Sequence, residues 1–600
     1  MQKTEFSQII SQIETQSNTV RYDFEIADII RKVLEEKECD LTPKQKEQLG
    51  WEFLLFRLMT KNRFNNNGLK TERFTPMATF TNGSIFPDPD SFSPKSLEYF
   101  EKRAKESRNS ILKARYFDFL WEKLKAKRKH LFAIKAIEQY LLCVNAYKND
   151  DTIIEKLDCL QRATELSITL EGKKDEHPLT TNVVTKLTEQ INRTIATENY
   201  RWLIEMFELV LALDNFFSKH QVEKYIAVCG VVISRYHSDK NFHLQRSFLN
   251  LRANLTKLLD PSAMKHRLVQ DEIGQSFVDE AKAKSGSGLV SVHFLQEAVK
   301  QYSKLGNTQK VNSLIDEIKH ATRQAINNRE FKTISSTIKI DPKDFEYMKM
   351  SLGTREEVPE KMGTLPTFFP DWNHAVRLTE KLKKRHVLQY LVRTVHYSDR
   401  YPVSRPQTEK DIQEDHVMGN FKLEAELALN WLTGFLTELI KENKVTLQDF
   451  EKFLAKIKAI DEDTHETVLE GLKSYFKGDH FHATYVLTLQ LEDFLRHLLT
   501  IFGGQTTRPE AGTFREKPLR SILTELKPYL SEPIYRYISW VMVDYRGFNL
   551  RNNVAHGFLK KRQSGPVYST ATLHIFCLLI ANTKVSVNKK RVSRTSPETN

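Results

Sequence analysis

The chain has 600 residues, of which 40% are hydrophobic and 28% charged, and its formal net charge is +13. This length exceeds what one hydrophobic core serves, so about two to four domains are expected. Long stretches rich in Leu, Lys, Glu and Ala, together with few glycines for the length, favour helix. The basic excess fits a polyanionic partner, although the charges are dispersed along the chain.

Cysteine usage and apolar runs exclude several classes of protein. The cysteines are scattered without a C-x-x-C pair, which argues for a reducing compartment and against a zinc ribbon or a disulfide framework. No apolar segment of a signal peptide follows Met1, and the longest apolar run, about 573–581, is too short to span a bilayer. We therefore expect a cytoplasmic protein without membrane association. The phosphate-binding pattern G-x-x-x-x-G-K-[ST] does not occur, which argues against a P-loop NTPase.

The first half of the chain predicts a helical array. Amphipathic patterns cover about 4–65, and a proline-rich break at about 65–94 predicts an ordered but irregular loop. From Leu97 to about 345 one helical pattern follows another. The segment 295–306 resembles the helix-to-turn end of a tetratricopeptide-type repeat, but no clean period of about 34 residues is found. We assign 1–345 to an irregular, at most degenerate repeat array, which is either a scaffold or a surface for a regulatory protein partner.

The second half predicts three further parts. Residues 346–410, interrupted by glycines and prolines, predict a connecting segment around one basic helix. That helix fits a solvated face better than an RNA-binding patch, and its basic residues are Arg377, Lys381, Lys383, Lys384, Arg385 and His386. Residues 411–585 predict a helical bundle with its own core, from patterns at 421–443, 447–476, 480–502, 519–526, 532–545, 550–561 and 570–585. The end, 586–600, predicts a basic tail that is disordered and either attracts RNA or is inert.

One stretch near the C-terminus concentrates residues suited to a phosphate. Residues 549–557 have the sequence N-L-R-N-N-V-A-H-G, which contains R-N-x-x-x-H. Asn549 is predicted to cap a helix, which would put Arg551 in a first turn whose free N–H groups favour an anion. An arginine there would add a forked, permanent positive charge. Asn552 and His556 are four residues apart on the predicted helix, so the amide can orient the ring.

This motif, with its A-H-G ending and the amphipathic helices around it, resembles the HEPN superfamily (higher eukaryotes and prokaryotes nucleotide-binding). The resemblance covers roughly the last third of the chain. It implies an all-helical domain, often a metal-independent endoribonuclease, whose active sites form where two R-x-x-x-x-H motifs meet across a dimer. Arg551 and His556 diverge by about 140° on an ideal helix, so they would line two sides of a groove completed by a second chain.

The chemistry of RNA fits these residue types. The 2′-hydroxyl is a built-in nucleophile beside its phosphate, so neither a metal nor a cofactor is required. Histidine moves protons near neutral pH, and arginine stabilises charge that builds on phosphoryl oxygens. We therefore predict that His556 is the general base or acid, that Arg551 binds the phosphate, and that Asn552 positions the ring or the scissile phosphate. The products would carry 2′,3′-cyclic phosphate and 5′-hydroxyl ends.

Two other groups of residues lie on the 480–502 pattern or next to it. Glu492 and Arg496, four residues apart, form an ion pair that is either structural or, if it borders His556, orients the imidazole or contacts RNA. Asp479, with two nearby histidines, fits a helix-capping residue better than a metal site, because no fourth ligand stands at a familiar spacing.

Three functions follow as alternatives. The first is a cytoplasmic ribonuclease that acts as a homodimer on RNA, by analogy a regulated toxin or phage-defence effector. The second is a helical scaffold that binds RNA or nucleotide through a degenerate HEPN domain without cleaving it. The third is a protein-interaction adaptor built on the N-terminal array, in which the basic charge is incidental.

Overall fold

The fold comes from a computed structural model, which describes residues 2–37, 40–61, 72–80, 82–125, 129–147, 152–172, 176–260, 263–332, 341–391, 394–398, 400–456 and 462–582. Over these residues the chain is all-α, as the sequence predicts, and its only strands form short antiparallel pairs. The chain divides into two compact units, Met1–Ala321 and Thr322–Asn600. Cys39 and the predicted basic tail, 586–600, lie outside the described residues.

The first unit is a succession of helices, most of which pack against the next helix in the chain. The helices that begin in it are α1 (Gln2–Ser17), α2 (Asp23–Glu36), α3 (Pro43–Arg57), α4 (Pro94–Glu106), α5 (Ser110–Lys123), α6 (His130–Ala146), α7 (Ile153–Glu171), α8 (Pro178–Ala196), α9 (Leu203–Ala212), α10 (Lys219–Ser238), α11 (Phe242–Leu259), α12 (Ala263–Ala283), α13 (Gly288–Lys304) and α14 (Thr308–Asn327). Four short strands lie just before the proline-rich break and in its described part: β1 (Met59–Thr60) pairs with β2 (Phe74–Thr75), and β3 (Ala78–Thr79) pairs with β4 (Ile85–Phe86).

Helix α5 is the centre of the first core, because it is buried on nearly all sides. A helix that is buried on most sides must pack between neighbouring helices. Its one buried carboxylate, Asp118, accepts hydrogen bonds from Arg162 on α7 at 2.6 Å and from Tyr140 on α6 at 2.7 Å. Burial raises the pKa of Asp118, but Arg162 and Arg73 outweigh burial and hold it below its ordinary value. The ionised group therefore joins three helices inside the core.

The second unit holds the motif and has its own core. Its helices are α15 (Pro342–Met350), α16 (Val358–Thr364), α17 (Trp372–Arg385), α18 (Val387–Leu391), α19 (Glu409–Lys441), α20 (Leu447–Leu454), α21 (Glu462–Phe476), α22 (His480–Ile501), α23 (Leu519–Leu526), α24 (Glu532–Met542), α25 (Leu550–Ala555) and α26 (Pro566–Asn582). Two hairpins accompany them, β5 (His396–Tyr397) with β6 (Pro402–Ser404), and β7 (Thr507–Glu510) with β8 (Thr513–Glu516).

Helix α26 lies in the middle of the second unit, and every residue from Ser569 to Ile580 is buried. It contains the long apolar run noted in the sequence. Its one buried imidazole, on His574, bonds to the hydroxyl of Tyr537 and to the carbonyl oxygen of Met362, each at 2.9 Å. Within the described ranges, no helix is both long and apolar enough to cross a bilayer.

Several predicted helices differ from the structure in length. The predicted helix 550–561 ends at Ala555, and the predicted 447–476 contains two helices, α20 and α21. Helix α19 begins at Glu409 rather than at Phe421, because Thr408 and Asp411 form a reciprocal capping box. The hairpin β7–β8 was not predicted at all.

Candidate functional site

The turn before α25 is fixed by close packing against α24. A Cβ atom on Gly547 would lie 2.0 Å from the carbonyl oxygen of Trp540, so only glycine fits. Asn549 then adopts a left-handed conformation, with φ of 48°, which asparagine tolerates better than most residues. Asn549 occupies the N-cap position of α25, as predicted, but its side chain makes no capping bond. It accepts from Asn552 Nδ2 at 2.7 Å instead of from a backbone N–H group.

The other end of α25 is a Schellman motif. The N–H of Phe558 bonds to the carbonyl of Asn553 at 2.7 Å, and that of Gly557 bonds to the carbonyl of Val554 at 3.0 Å. Gly557 has φ of 64°, the left-handed conformation that this motif requires. His556 is therefore the last residue of the helix end, not the middle of a longer helix, and its side chain is exposed.

Arg551 projects towards α22, where a half-buried ion cluster holds it. Its Nε donates to Glu492 Oε2 at 2.8 Å, and Arg496 Nη2 donates to Glu492 Oε1 at 2.7 Å. The Glu492 side chain is only 12% exposed, against 29% for Arg551. Burial raises the pKa of Glu492, but the hydrogen bonds from the two arginines outweigh burial and hold it below its ordinary value of 4.5. The carboxylate is therefore charged at neutral pH and fixes Arg551.

Arg496 ties this cluster to the hairpin β7–β8. It donates to Glu516 at 2.9 Å and to the carbonyl oxygen of Lys517 at 2.7 Å, in addition to Glu492. All the contacts that the Arg496 guanidinium makes with described residues are therefore structural ones within the protein. In the described chain Glu492 orients Arg551 rather than the imidazole, which differs from the arrangement considered from the sequence.

Asn552 also turns towards Arg551. Its Oδ1 lies 3.5 Å from Arg551 Nη1, while its Nδ2 is committed to Asn549. The predicted contact between the Asn552 amide and the ring of His556 is not made among the described residues. Only the backbone joins them, through His556 N–H and the carbonyl of Asn552 at 3.0 Å.

His556 has an aromatic neighbour, Phe558, which in turn contacts Arg400, and the sequence did not predict either contact. Its ring lies 5.5 Å from the ring of Phe558, and the guanidinium carbon of Arg400 lies 4.1 Å from the Phe558 ring centre. The loop after the motif is anchored to α22, because Tyr485 donates its hydroxyl to the carbonyl oxygen of Leu559 at 2.9 Å. The exposed basic residues Lys560, Lys561 and Arg562 follow at once. The surface around His556 is therefore basic and partly aromatic.

Asp479 and the basic stretch 377–386, the other candidates from the sequence, have structural roles. Asp479 accepts from the backbone N–H of His482, which is the predicted helix cap. The basic stretch 377–386 forms the exposed second half of α17 and its end, as expected for a solvated face. Arg400 and Phe558 were missed because they approach each other only through tertiary packing. Tyr485 had a weak signal, since it lies on the same face of α22 as Glu492, seven residues earlier.

Comparison with known proteins bears on the first unit alone. A family model described as a domain of unknown function (DUF7380) matches residues 37–179, which is less than half of the chain. No curated protein matches the chain. No solved structure matches it either.

Proposed function

We propose that the second unit is a HEPN-type, metal-independent endoribonuclease in which His556 moves the proton and Arg551 stabilises the scissile phosphate. The observation that carries the proposal is the way Arg551 is held. Glu492 engages mainly the Nε edge of the guanidinium, and the contacts to its two terminal nitrogens are long, at 3.5 Å. A fixed arginine with N–H groups still available is the group that a phosphoryl transition state needs.

The reaction follows from the nucleophile that RNA carries. The 2′-oxygen forms a bond to phosphorus while the bond from phosphorus to the 5′-oxygen breaks. A proton leaves the 2′-hydroxyl and another reaches the departing 5′-oxygen, so the products carry 2′,3′-cyclic phosphate and 5′-hydroxyl ends. His556 is exposed and can serve either transfer, while Arg551 stabilises the negative charge that builds between the two bond changes.

A second copy of the chain would complete this site. Each chain has one R-N-x-x-x-H motif. Apolar side chains remain exposed beside it, with Leu489 on α22 at 45% and Phe558 at 37%. Leu489 lies on the same helix face as Tyr485 and Glu492, which hold the motif. A homodimer that covers this face would bring two motifs to one groove. The rate per chain should then fall on dilution below the dimer dissociation constant, and an unchanged rate from a demonstrated monomer would reject the dimer.

The central experiment compares matched histidine variants on structured RNA in EDTA. His556→Ala should lower cleavage by about 10²- to 10⁴-fold and Arg551→Ala by about 10²- to 10³-fold. His482→Ala is the control, because His482 is 62% exposed, pairs with Asp479 and is not a residue of the R-N-x-x-x-H motif. It should cleave like the unaltered protein. Full activity of both motif variants would reject the catalytic assignment.

The biological role that we propose is a regulated toxin or phage-defence effector, in which the first unit restrains or triggers the second through a protein partner. A toxin should slow growth when it is expressed, and His556→Ala should relieve the effect. Equal growth with the unaltered and His556→Ala chains would remove this role while leaving the chemistry open to direct assay.

One observation favours a second candidate, binding of RNA without cleavage. Among the described residues, no side chain makes a hydrogen bond to the imidazole of His556, whereas a general base is commonly oriented by such a partner. Under this alternative RNA binds at low salt, binding survives His556→Ala, and no cyclic phosphate product is formed. Product analysis of the same reactions therefore separates the two functions.

A further inference from the structure

The ion cluster at the motif leaves the site short of positive charge. Arg551 and Arg496 face Glu492 and Glu516 in one connected set of ion pairs, so the two charges of each sign cancel. A groove that binds a sugar-phosphate chain needs cations that are not already neutralised, because release of counterions from the phosphates drives such binding. The chain must supply them from outside the motif.

Arg400 is such a cation, and it comes from a distant hairpin. It lies in the turn between β5 and β6, where the N–H of Ser398 bonds to the carbonyl oxygen of Tyr401 at 2.9 Å. The Ser398 hydroxyl also accepts from the backbone N–H groups of Arg400 and Tyr401. At the base of the hairpin, His396 contacts Asp415 on α19 at 2.7 Å. The turn that carries Arg400 is thus tied to the helical bundle.

The side chain of Arg400 lies over the ring of Phe558, the residue that follows the 549–557 stretch. Its guanidinium carbon lies 4.1 Å from the centre of the Phe558 ring, and that ring lies 5.5 Å from the imidazole of His556. These two distances put the guanidinium carbon no more than 9.6 Å from the imidazole centre. Arg400 is exposed, and within the described part of the chain no carboxylate pairs with it.

We propose that Arg400 is a substrate-binding residue of this site, whose guanidinium binds an RNA phosphate next to the scissile one. The inference rests on the proposed function, and it assigns to the same groove a phosphate ligand that the motif does not contain. The guanidinium lies over the Phe558 ring, and a cation–π contact of this kind leaves N–H groups at the guanidinium edge for phosphate oxygens. Lysine would keep the charge at Arg400 but lose the planar fork of donors.

The test measures binding and cleavage separately in the full chain. Binding of single-stranded RNA is measured in the His556→Ala background, so that the RNA stays intact, over a series of salt concentrations. Arg400→Ala should weaken binding by about 3- to 10-fold and reduce the salt slope by about 1, as expected for loss of one phosphate contact. Arg400→Lys should be intermediate, and Phe558→Leu should weaken binding without changing the number of charges. In the active chain, Arg400→Ala should raise KM more than it lowers kcat.

Arg385 provides the matched control, since it is an exposed arginine at the end of α17. Arg385→Ala should bind RNA like the unaltered chain, and thermal unfolding of every variant should match. The proposal is overturned if Arg400→Ala leaves affinity and salt slope unchanged, if kcat alone falls, or if the unaltered chain binds no RNA. If Arg400→Ala weakens binding while no variant cleaves RNA, the nuclease fails and the phosphate contact stands.

Discussion

Replacing Glu492 by glutamine tests whether the ion cluster positions Arg551. The substitution keeps the shape of the side chain and removes its charge. In the unaltered protein the Glu492 carboxylate accepts hydrogen bonds from Arg551 at 2.8 Å and from Arg496 at 2.7 Å. An amide can offer its oxygen to only one of them and must turn its NH₂ group towards the other, so two donors would face each other.

The structure sets the size of the expected effect. A hydrogen bond to a charged partner contributes about 1.5–3 kcal/mol, and Glu492 makes two with little access to water. Arg551 is partly exposed and can be rehydrated, and Arg496 retains Glu516 and the carbonyl oxygen of Lys517. We therefore expect Glu492→Gln to lower the free energy of unfolding of the second unit by about 2 kcal/mol, near the value of one such bond. Loss of a fixed guanidinium should also lower cleavage by about 10- to 100-fold.

The assay is urea unfolding near neutral pH together with RNA cleavage. Because the folded-state pKa of Glu492 lies below its ordinary value, its stabilising contribution is complete at neutral pH. That contribution should disappear as the pH falls through the folded-state pKa. Glu516→Gln is the matched control, since Glu516 pairs with the same Arg496 but is 60% exposed. It should change stability by less than about 1 kcal/mol. Equal stability and equal cleavage for the two variants would refute the positioning of Arg551 by Glu492.

Three further predictions concern packing in the second unit. Burial lowers the pKa of His574 from 6.5 to about 4, so the neutral ring contributes its full stabilisation above pH 6.5. The free energy of unfolding should therefore fall by about 2 kcal/mol between about pH 7 and pH 5 in urea unfolding, and His574→Gln should remove this fall. Gly547→Ala should cost about 1–3 kcal/mol and reduce cleavage, because the new methyl group meets the backbone of Trp540. Gly363→Ala should lower the free energy of unfolding at least as much, measured by thermal unfolding, because its Cβ would lie 2.2 Å from a carbonyl oxygen of α26. Gly419→Ala, with open space around it, should instead raise the free energy of unfolding by about 0.5–1 kcal/mol.

Periodicity predicted where most helices of the second unit lie, and it predicted the ends of only some of them. The pattern at 519–526 has the bounds of α23, and that at 480–502 differs from α22 by one residue. The predicted helix over the motif was too long because Gly557 was taken with the A-H-G ending and not as the residue that stops a helix. Ala511 and Gly512, both at positive φ, close the unpredicted hairpin β7–β8, and Ala-Gly is a weaker turn signal than Asn-Gly.

The candidate site was predictable only where local sequence determines it. That Arg551 and His556 both reach solvent is consistent with their polar character, but their partners depend on packing between distant segments. Glu492 was singled out by its spacing from Arg496, yet spacing alone did not reveal that it would hold Arg551. Arg400 had no signal at all, since a single arginine in a short hairpin is ordinary until the fold brings it to Phe558.

The division of charge at the site has a consequence for how the proposed nuclease would select RNA. Glu492 fixes the position of Arg551 and neutralises its charge in the ground state. Such a pair suits a transition state in which extra negative charge appears. Ground-state attraction must then come from cations outside that cluster, such as Arg400 and the basic residues 560–562. Binding and catalysis would therefore depend on different arginines. Salt should weaken RNA binding much more than it slows cleavage of RNA that is already bound.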